Sequence, residues 1–149
     1  MPLDRAWIGA HVPHRGSMCL LDEVIEWSPA GIRCHATSHR STDNPLRARG
    51  ELGAACGIEY AAQAMALHGA LLVPDAPPRA GMLASTRGVT LNVARLDDVS
   101  GKLIVSATYV HGDAAMVVYD FAVSSATDVL VSGRAAIAFV PATRPAVSE

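Results

Sequence analysis

A glutamate set among alanines, leucines and methionines is the first residue in this chain whose type and placement could do chemistry. Glu59 stands in the run Gly57-Ile-Glu-Tyr-Ala-Ala-Gln-Ala-Met-Ala-Leu-His-Gly-Ala-Leu-Leu72, with Gln63 four residues on. In a helix, side chains four apart share one face, so this carboxyl and this amide project together from an otherwise apolar surface. Burying an ionised carboxylate without a partner costs several kcal/mol, and carboxyls in such surroundings serve as acids or bases near neutral pH. The alternative is a solvated charge at the helix N-terminus, where it contributes about 0.3–1 kcal/mol to helix stability. The pattern alone leaves both open.

Six histidines are the next candidates for proton transfer. His11 and His14 belong to the N-terminal stretch. His35 and His39 fall on the polar side of an alternating segment, which places them on a solvated strand face; His39 also lies near the loop 41–45, where it could serve as a base. His68 lies on the helical run more than two turns from Glu59 and reads as a hydrogen-bonded core histidine, while His111 occupies a hairpin turn. No pair has metal-ligand spacing with a carboxylate, so neither a metal nor a cofactor is expected. Cys56 precedes the helix, whose dipole would lower its thiol pKa, but no neighbouring base makes it a nucleophile. With Cys19 and Cys34 it forms no C-x-x-C pair and no even set, which suits small buried hydrophobes in a reducing cytoplasm. Arg40, Arg47, Arg49 and Arg79 offer a landing point for a phosphate or an acidic partner, or scattered surface charge.

The elements that must position these residues follow from periodicity. Residues 22–27 and 32–39 read as two strands joined by Ser28-Pro-Ala-Gly31, with Ile32, Cys34 and Ala36 on one side and Arg33, His35 and Thr37 on the other. The stretch 41–53 is irregular and polar, 57–72 predicts one long helix ending before Pro74, and 73–79 reads as a loop. Four segments rich in Val, Ile, Thr, Tyr and Phe follow at 81–96, 102–110, 115–125 and 129–140. Turn signals at 97–101, 111–113 and 127–128 suggest hairpins and a meander of antiparallel strands. A single helix, apolar almost all round, can be buried only by a curved sheet wrapped about it and, in part, by a second subunit. The expectation is one α+β domain over 1–149, with 142–149 a loose tail.

Composition narrows the classes further. Half of the 149 residues are apolar and 17% are charged, with 12 Lys+Arg against 14 Asp+Glu for a net charge of -2. Disorder and polyanion binding lose support, and nucleic acid is not an expected partner. The N-terminus lacks a basic stretch followed by an apolar one, and the run 58–73 is broken by Glu59, Gln63 and His68 and is short for a bilayer span, so a cytoplasmic protein with no membrane contact is expected.

Several of these residues carry a family resemblance. Pro13-His-Arg-Gly-Ser-Met-Cys-Leu-Leu-Asp-Glu-Val24 and Gly57-Ile-Glu-Tyr-Ala-Ala-Gln63 resemble motifs of the FabZ/FabA-type 3-hydroxyacyl-[acyl carrier protein] dehydratases. The similarity is greatest to the ApeP-like branch of aryl polyene clusters, which Asn44-Pro-Leu46, Arg95-Leu-Asp97, Tyr119-x-Phe121 and Ser132-Gly-Arg-Ala135 also resemble. The resemblance implies a hotdog fold and dehydration of a 3-hydroxyacyl thioester on acyl carrier protein to the trans-2-enoyl thioester, in fatty acid or polyene-type biosynthesis. It implies a homodimer or higher oligomer, or pairing with a paralogous hotdog subunit. A histidine of one subunit would take the α-proton and a carboxylate on the partner's central helix would assist departure of the hydroxyl. Glu59 matches that carboxylate and Gln63 the glutamine one turn on, but the histidine would fall near Asn44 or Pro45. That departure leaves Asn44, His14 and His39 as the residues to test for the vacant role. It also keeps open a hotdog thioesterase, which needs no such histidine, and a non-catalytic acyl-binding subunit paired with a complete dehydratase.

Overall fold

Ile32, Cys34 and Ala36 are buried while Arg33 reaches solvent, so the alternation in this segment becomes a strand with one covered face. In the computed structural model, which describes residues 3–11, 18–75 and 81–139, that strand is β2 (Gly31–Ala36). It forms a hairpin with β1 (Glu23–Ser28), closed at Ser28↔Gly31. The helix α2 (Gly57–Leu72) has the bounds its composition predicts. Strands β3 (Gly81–Leu91), β4 (Leu103–Gly112), β5 (Met116–Ser124) and β6 (Val129–Phe139) complete a six-stranded antiparallel sheet in the order β1-β2-β4-β5-β6-β3. The sheet curves around α2, which packs against β2, β4, β5 and β6. This is the α+β hotdog architecture.

Two expectations are corrected. The stretch 97–101 is no hairpin, because β3 pairs with β6 at the far edge and the chain must then cross the molecule to place β4 beside β2. The crossing is tied down by Ala54 N–H to Ala94 O and Leu96 N–H to Leu52 O, at 3.1 and 2.7 Å. A short helix, α1 (Arg5–His11), also occupies the N-terminal stretch, where the periodicity gave no element, with Asp4 Oδ1 accepting from Trp7 N–H at 3.0 Å. The expected tail at 142–149 lies outside the described residues.

The edge strand β3 remains bare. Leu83 and Leu91 pair in register with the buried Ile137 and Val131, yet are 41% and 49% exposed, while α2 packs chiefly on β4, β2 and β5. The opposite edge is short, and Leu3 bridges it at Val24. Among the described residues no helix is long and apolar enough to cross a membrane.

Close backbone approach fixes two glycines. At Gly57 a Cβ would lie 3.1 Å from Val131 Cγ2, so a side chain there would have to push that methyl aside where the helix start presses onto β6. At Gly31 a Cβ would lie 2.5 Å from Ala107 O, a backbone atom that cannot move aside without opening the β2–β4 ladder. Gly31→Ala is expected to destabilise the fold by about 1–3 kcal/mol, read as a lower urea midpoint; an unchanged midpoint would show that the ladder yields freely.

Candidate functional site

The first turn of α2 carries Glu59, half-buried, and next to it the fully buried Tyr60. The Tyr60 hydroxyl lies 2.7 Å from Ser38 Oγ and 3.0 Å from Asn44 Nδ2. Ser38 has one hydroxyl proton, which it donates to Leu20 O at 2.7 Å, so the Tyr60 O–H must donate to Ser38 and the Asn44 amide to Tyr60. The hydrogen bonds thus run in one direction, from Asn44 through Tyr60 and Ser38 to the Leu20 carbonyl. Leu20 N–H in turn donates to Gln63 Oε1 at 2.9 Å, and Gln63 Nε2 donates to Met18 O at 2.7 Å. Burial pushes the Tyr60 phenol up, and its hydrogen-bonded neighbours oppose that shift.

Asn44 is buried and fully used. Its Nδ2 also donates to Ser38 O at 2.9 Å, and its Oδ1 accepts from Leu46 N–H at 2.9 Å. An imidazole could not replace it, because no single ring nitrogen carries two protons for the Ser38 carbonyl and the Tyr60 oxygen. Gln63 is equally occupied, gripping segment 18–20 rather than facing solvent. The same segment is held from outside, where Arg5 donates to Cys19 O at 2.7 Å and to Asp22 at 3.1 Å, and Thr37 donates to Asp22 at 2.6 Å.

None of the described histidines bonds to Tyr60, Ser38 or Asn44. The expectation that His39 sits on a solvated strand face is corrected: β2 ends at Ala36, and His39 falls in a single 3₁₀ turn (Ser38–Arg40) with no exposed surface. Its Nε2–H donates to Val99 O at 3.0 Å, and its Nδ1 has no hydrogen-bond partner among the described residues. Burial lowers its pKa, aided by Arg40 and opposed by the Val99 and Gly101 backbone and Asp22. His68 is the core histidine expected, donating from Nε2 to Ser28 O and accepting at Nδ1 from the Tyr119 hydroxyl, both at 2.7 Å. Burial lowers its pKa as well. His11 bonds Trp7 O and His35 pairs with Glu23, and His111 is exposed near the end of β4. His14 and Arg79 lie outside the described residues.

Two further expectations change. The Cys56 thiol is pushed up by burial rather than lowered, and donates to Leu46 O at 3.8 Å. Arg47 is tethered to Gly50 O and His39 O rather than freely solvated. Among the described residues no group of three or more His, Cys, Asp or Glu is placed to hold a metal. The Arg95-Leu-Asp97 motif acts structurally: Arg95 binds Asp97 and Glu51, and Asp97 accepts from Leu52 N–H at 2.8 Å, fixing the approach to α2. The Arg95 hydrogen bonds hold the Asp97 carboxyl well below the usual carboxylate range.

Residues 7–146 match the model of a family described as ApeP-like, ApeP dehydratase. The chain belongs to this ApeP-like dehydratase family. No curated protein matches it. Among solved structures, the dehydratase heterocomplex ApeI:P of Xenorhabdus doucetiae is similar at 25% identity and a TM-score of 0.79, covering 89% of this chain and 90% of that one. A mutant of the thioesterase SAV0944 from Staphylococcus aureus is 17% identical, with 79% and 92% covered and a TM-score of 0.59. A mutant of the thioesterase PA1618 from Pseudomonas aeruginosa is 16% identical, with 80% and 81% covered and a TM-score of 0.58. These two thioesterases share the fold.

In this ApeP-like chain, sequence reasoning found Glu59, Gln63 and Asn44 but passed over Ser38 and Tyr60. A lone tyrosine beside the glutamate of an alanine-rich helix was the available signal. The two buried histidines also fix an acid response. Because burial lowers both imidazole pKa values in the fold, the unfolded chain binds more protons around and below the ordinary imidazole value of 6.5. Stability is therefore expected to be full above that pH and to fall below it, by at most about 1.4 kcal/mol per pH unit for each histidine, in urea titrations at successive pH values. A flat profile from neutral pH to about pH 5 would contradict the lowered pKa values.

Proposed function

We propose that this chain is one subunit of a dehydratase that removes water from a 3-hydroxyacyl thioester carried on acyl carrier protein. In this reading it supplies Glu59 and depends on a paralogous hotdog subunit for the imidazole. The carrying observation is Asn44, the residue standing where the family resemblance would put the base, whose amide is buried and spent on Ser38, Tyr60 and Leu46. An amide has no basic nitrogen to take an α-proton near neutral pH, whereas imidazole does. The five described histidines add no base beside Glu59, since four are hydrogen-bonded elsewhere and His111 lies out on the β4–β5 hairpin. The partner's imidazole would remove the α-proton while the Glu59 carboxyl protonates the departing 3-hydroxyl, giving the trans-2-enoyl thioester and water.

The bare strand β3, with Met82, Leu83 and Leu91 exposed, supports assembly with a second sheet. That a similar structure is a complex of two different dehydratase chains supports a paralogue as that second sheet. The exposed Arg40 and Arg49 offer charge to an acidic carrier protein, and the reading calls for no cofactor. Soluble cytoplasmic operation fits these partners.

The test is mass spectrometry of 3-hydroxyacyl-carrier-protein thioesters incubated with the chain alone and with a paralogous hotdog chain that carries the imidazole. Loss of one water is expected only from the pair, and Glu59→Gln in this chain should lower that turnover by roughly 10²–10⁴-fold. The same assay with His14→Ala should keep turnover. Water loss by the chain alone would contradict the proposal, release of free acid would make it a thioesterase, and full turnover with Glu59→Gln would leave it an acyl-binding subunit.

A further inference from the structure

We infer that Tyr60 is a positioning residue of this site, whose phenol sets the rotation of the first helical turn and with it the direction of the Glu59 carboxyl. The inference rests on the reading in which Glu59 takes part in dehydration. Among the described residues no side chain caps the start of α2, so the first turn is oriented by what holds it laterally. Two tethers do so. Tyr60 reaches the Leu20 carbonyl through Ser38, and Gln63, three residues on and hence on the adjoining helical face, takes the N–H of the same residue. Leu20 is thus held at both polar atoms, its N–H directly by the helix and its carbonyl by Ser38, to which the helix's Tyr60 donates, and Leu20 itself is fully buried. Asn44 closes the arrangement from the loop, because its amide fills the remaining acceptor site of the phenol.

Rotation of the first turn by even a fraction of a residue would break the Tyr60–Ser38 contact and leave the buried phenol without its hydrogen-bond acceptor. The carboxyl one residue before Tyr60 is therefore held in register with segment 18–20 and loop 38–47 by a bond in which it takes no part. A phenol at this position also explains why position 44 carries an amide, which donates to Tyr60 and to Ser38 O from one atom.

A merely structural role is separated from positioning by a second buried phenol at the far end of α2. Tyr119 donates to His68 at 2.7 Å and is 2% exposed, so Tyr119→Phe removes a comparable bond from the same helix away from Glu59. Both tyrosine variants, with Ser38→Ala, are assayed in the complex with the paralogous subunit for kcat, KM and urea midpoint. Tyr60→Phe and Ser38→Ala should each lower kcat about tenfold or more with KM changed less than about twofold, whereas Tyr119→Phe should lower the midpoint and leave kcat within about twofold. Equal kcat losses in Tyr60→Phe and Tyr119→Phe, or an undiminished kcat in Tyr60→Phe, would overturn the inference. Should Tyr60→Phe fail to fold, Ser38→Ala reports the same tether without altering the helix. Glu59→Gln separates the two levels: if it keeps full kcat, the dehydration reading falls and this inference with it, and if it loses kcat while Tyr60→Phe and Ser38→Ala do not, only the inference falls.

Discussion

A buried amide that has spent every polar atom on its neighbours is the constraint on which this site depends. Asn44 donates twice and accepts once, and each bond reaches a different piece of chain: the turn at Ser38, the helix at Tyr60 and its own loop at Leu46. In a dry interior each lost bond of this kind costs about 1–3 kcal/mol, so the loop, the helix start and the segment before β1 move as one unit or not at all. The arrangement fixes an amide at position 44 and leaves it no polar atom for other work.

The rest of the scaffold serves the same helix. Its far end is held by His68, which bridges Ser28 O and the Tyr119 hydroxyl, and Tyr109 packs edge-on against Tyr119 with ring centroids 5.9 Å apart. Its start presses on β6 at Gly57, which has no side chain. The approach to that start is fastened by Asp97, whose carboxylate binds Arg95 and the Leu52 amide. With both ends of α2 fixed inside the sheet, β3 is left with apolar side chains uncovered at the surface. An open edge strand with exposed Leu83 and Leu91 is a liability for a protein that stays alone and an asset for one that works in a complex.

Much of this was legible in the sequence because the controlling effects are local. The Ala-rich run bounded by Gly57 and Pro74 declared α2, and alternation at Ile32, Cys34 and Ala36 declared β2 with its buried face. The strands of the β4–β5–β6 meander were also legible, since short turns join neighbours in sequence and in space. What could not be read was decided by distant partners. β3 looks like the first strand of that meander but joins β6, a choice set by the closure of the sheet around the helix. His39 follows an alternating pattern, yet β2 stops at Ala36 and the imidazole is buried beneath the Val99 turn, sixty positions away along the chain. Ser38 lies in no motif and Tyr60 is only one letter of the Gly57–Gln63 run, and their meaning appears only once Asn44 and Leu20 are brought to them. That position 44 carries an amide was visible as a residue type; that the amide is locked there was visible only in three dimensions.

The Asn44 amide must be as fully engaged in solution as its geometry demands. Hydrogen exchange of its side-chain NH₂, followed by NMR with the resonance assigned by loss in an Asn44→Ala variant, measures this directly. Two donated bonds from a buried amide predict exchange far slower than a solvated asparagine amide, on the timescale of local or global opening. Exchange of the Asn44 protons at the rate of an exposed amide would contradict it, because a free amide leaves position 44 open to other chemistry and Tyr60 without its fixed donor.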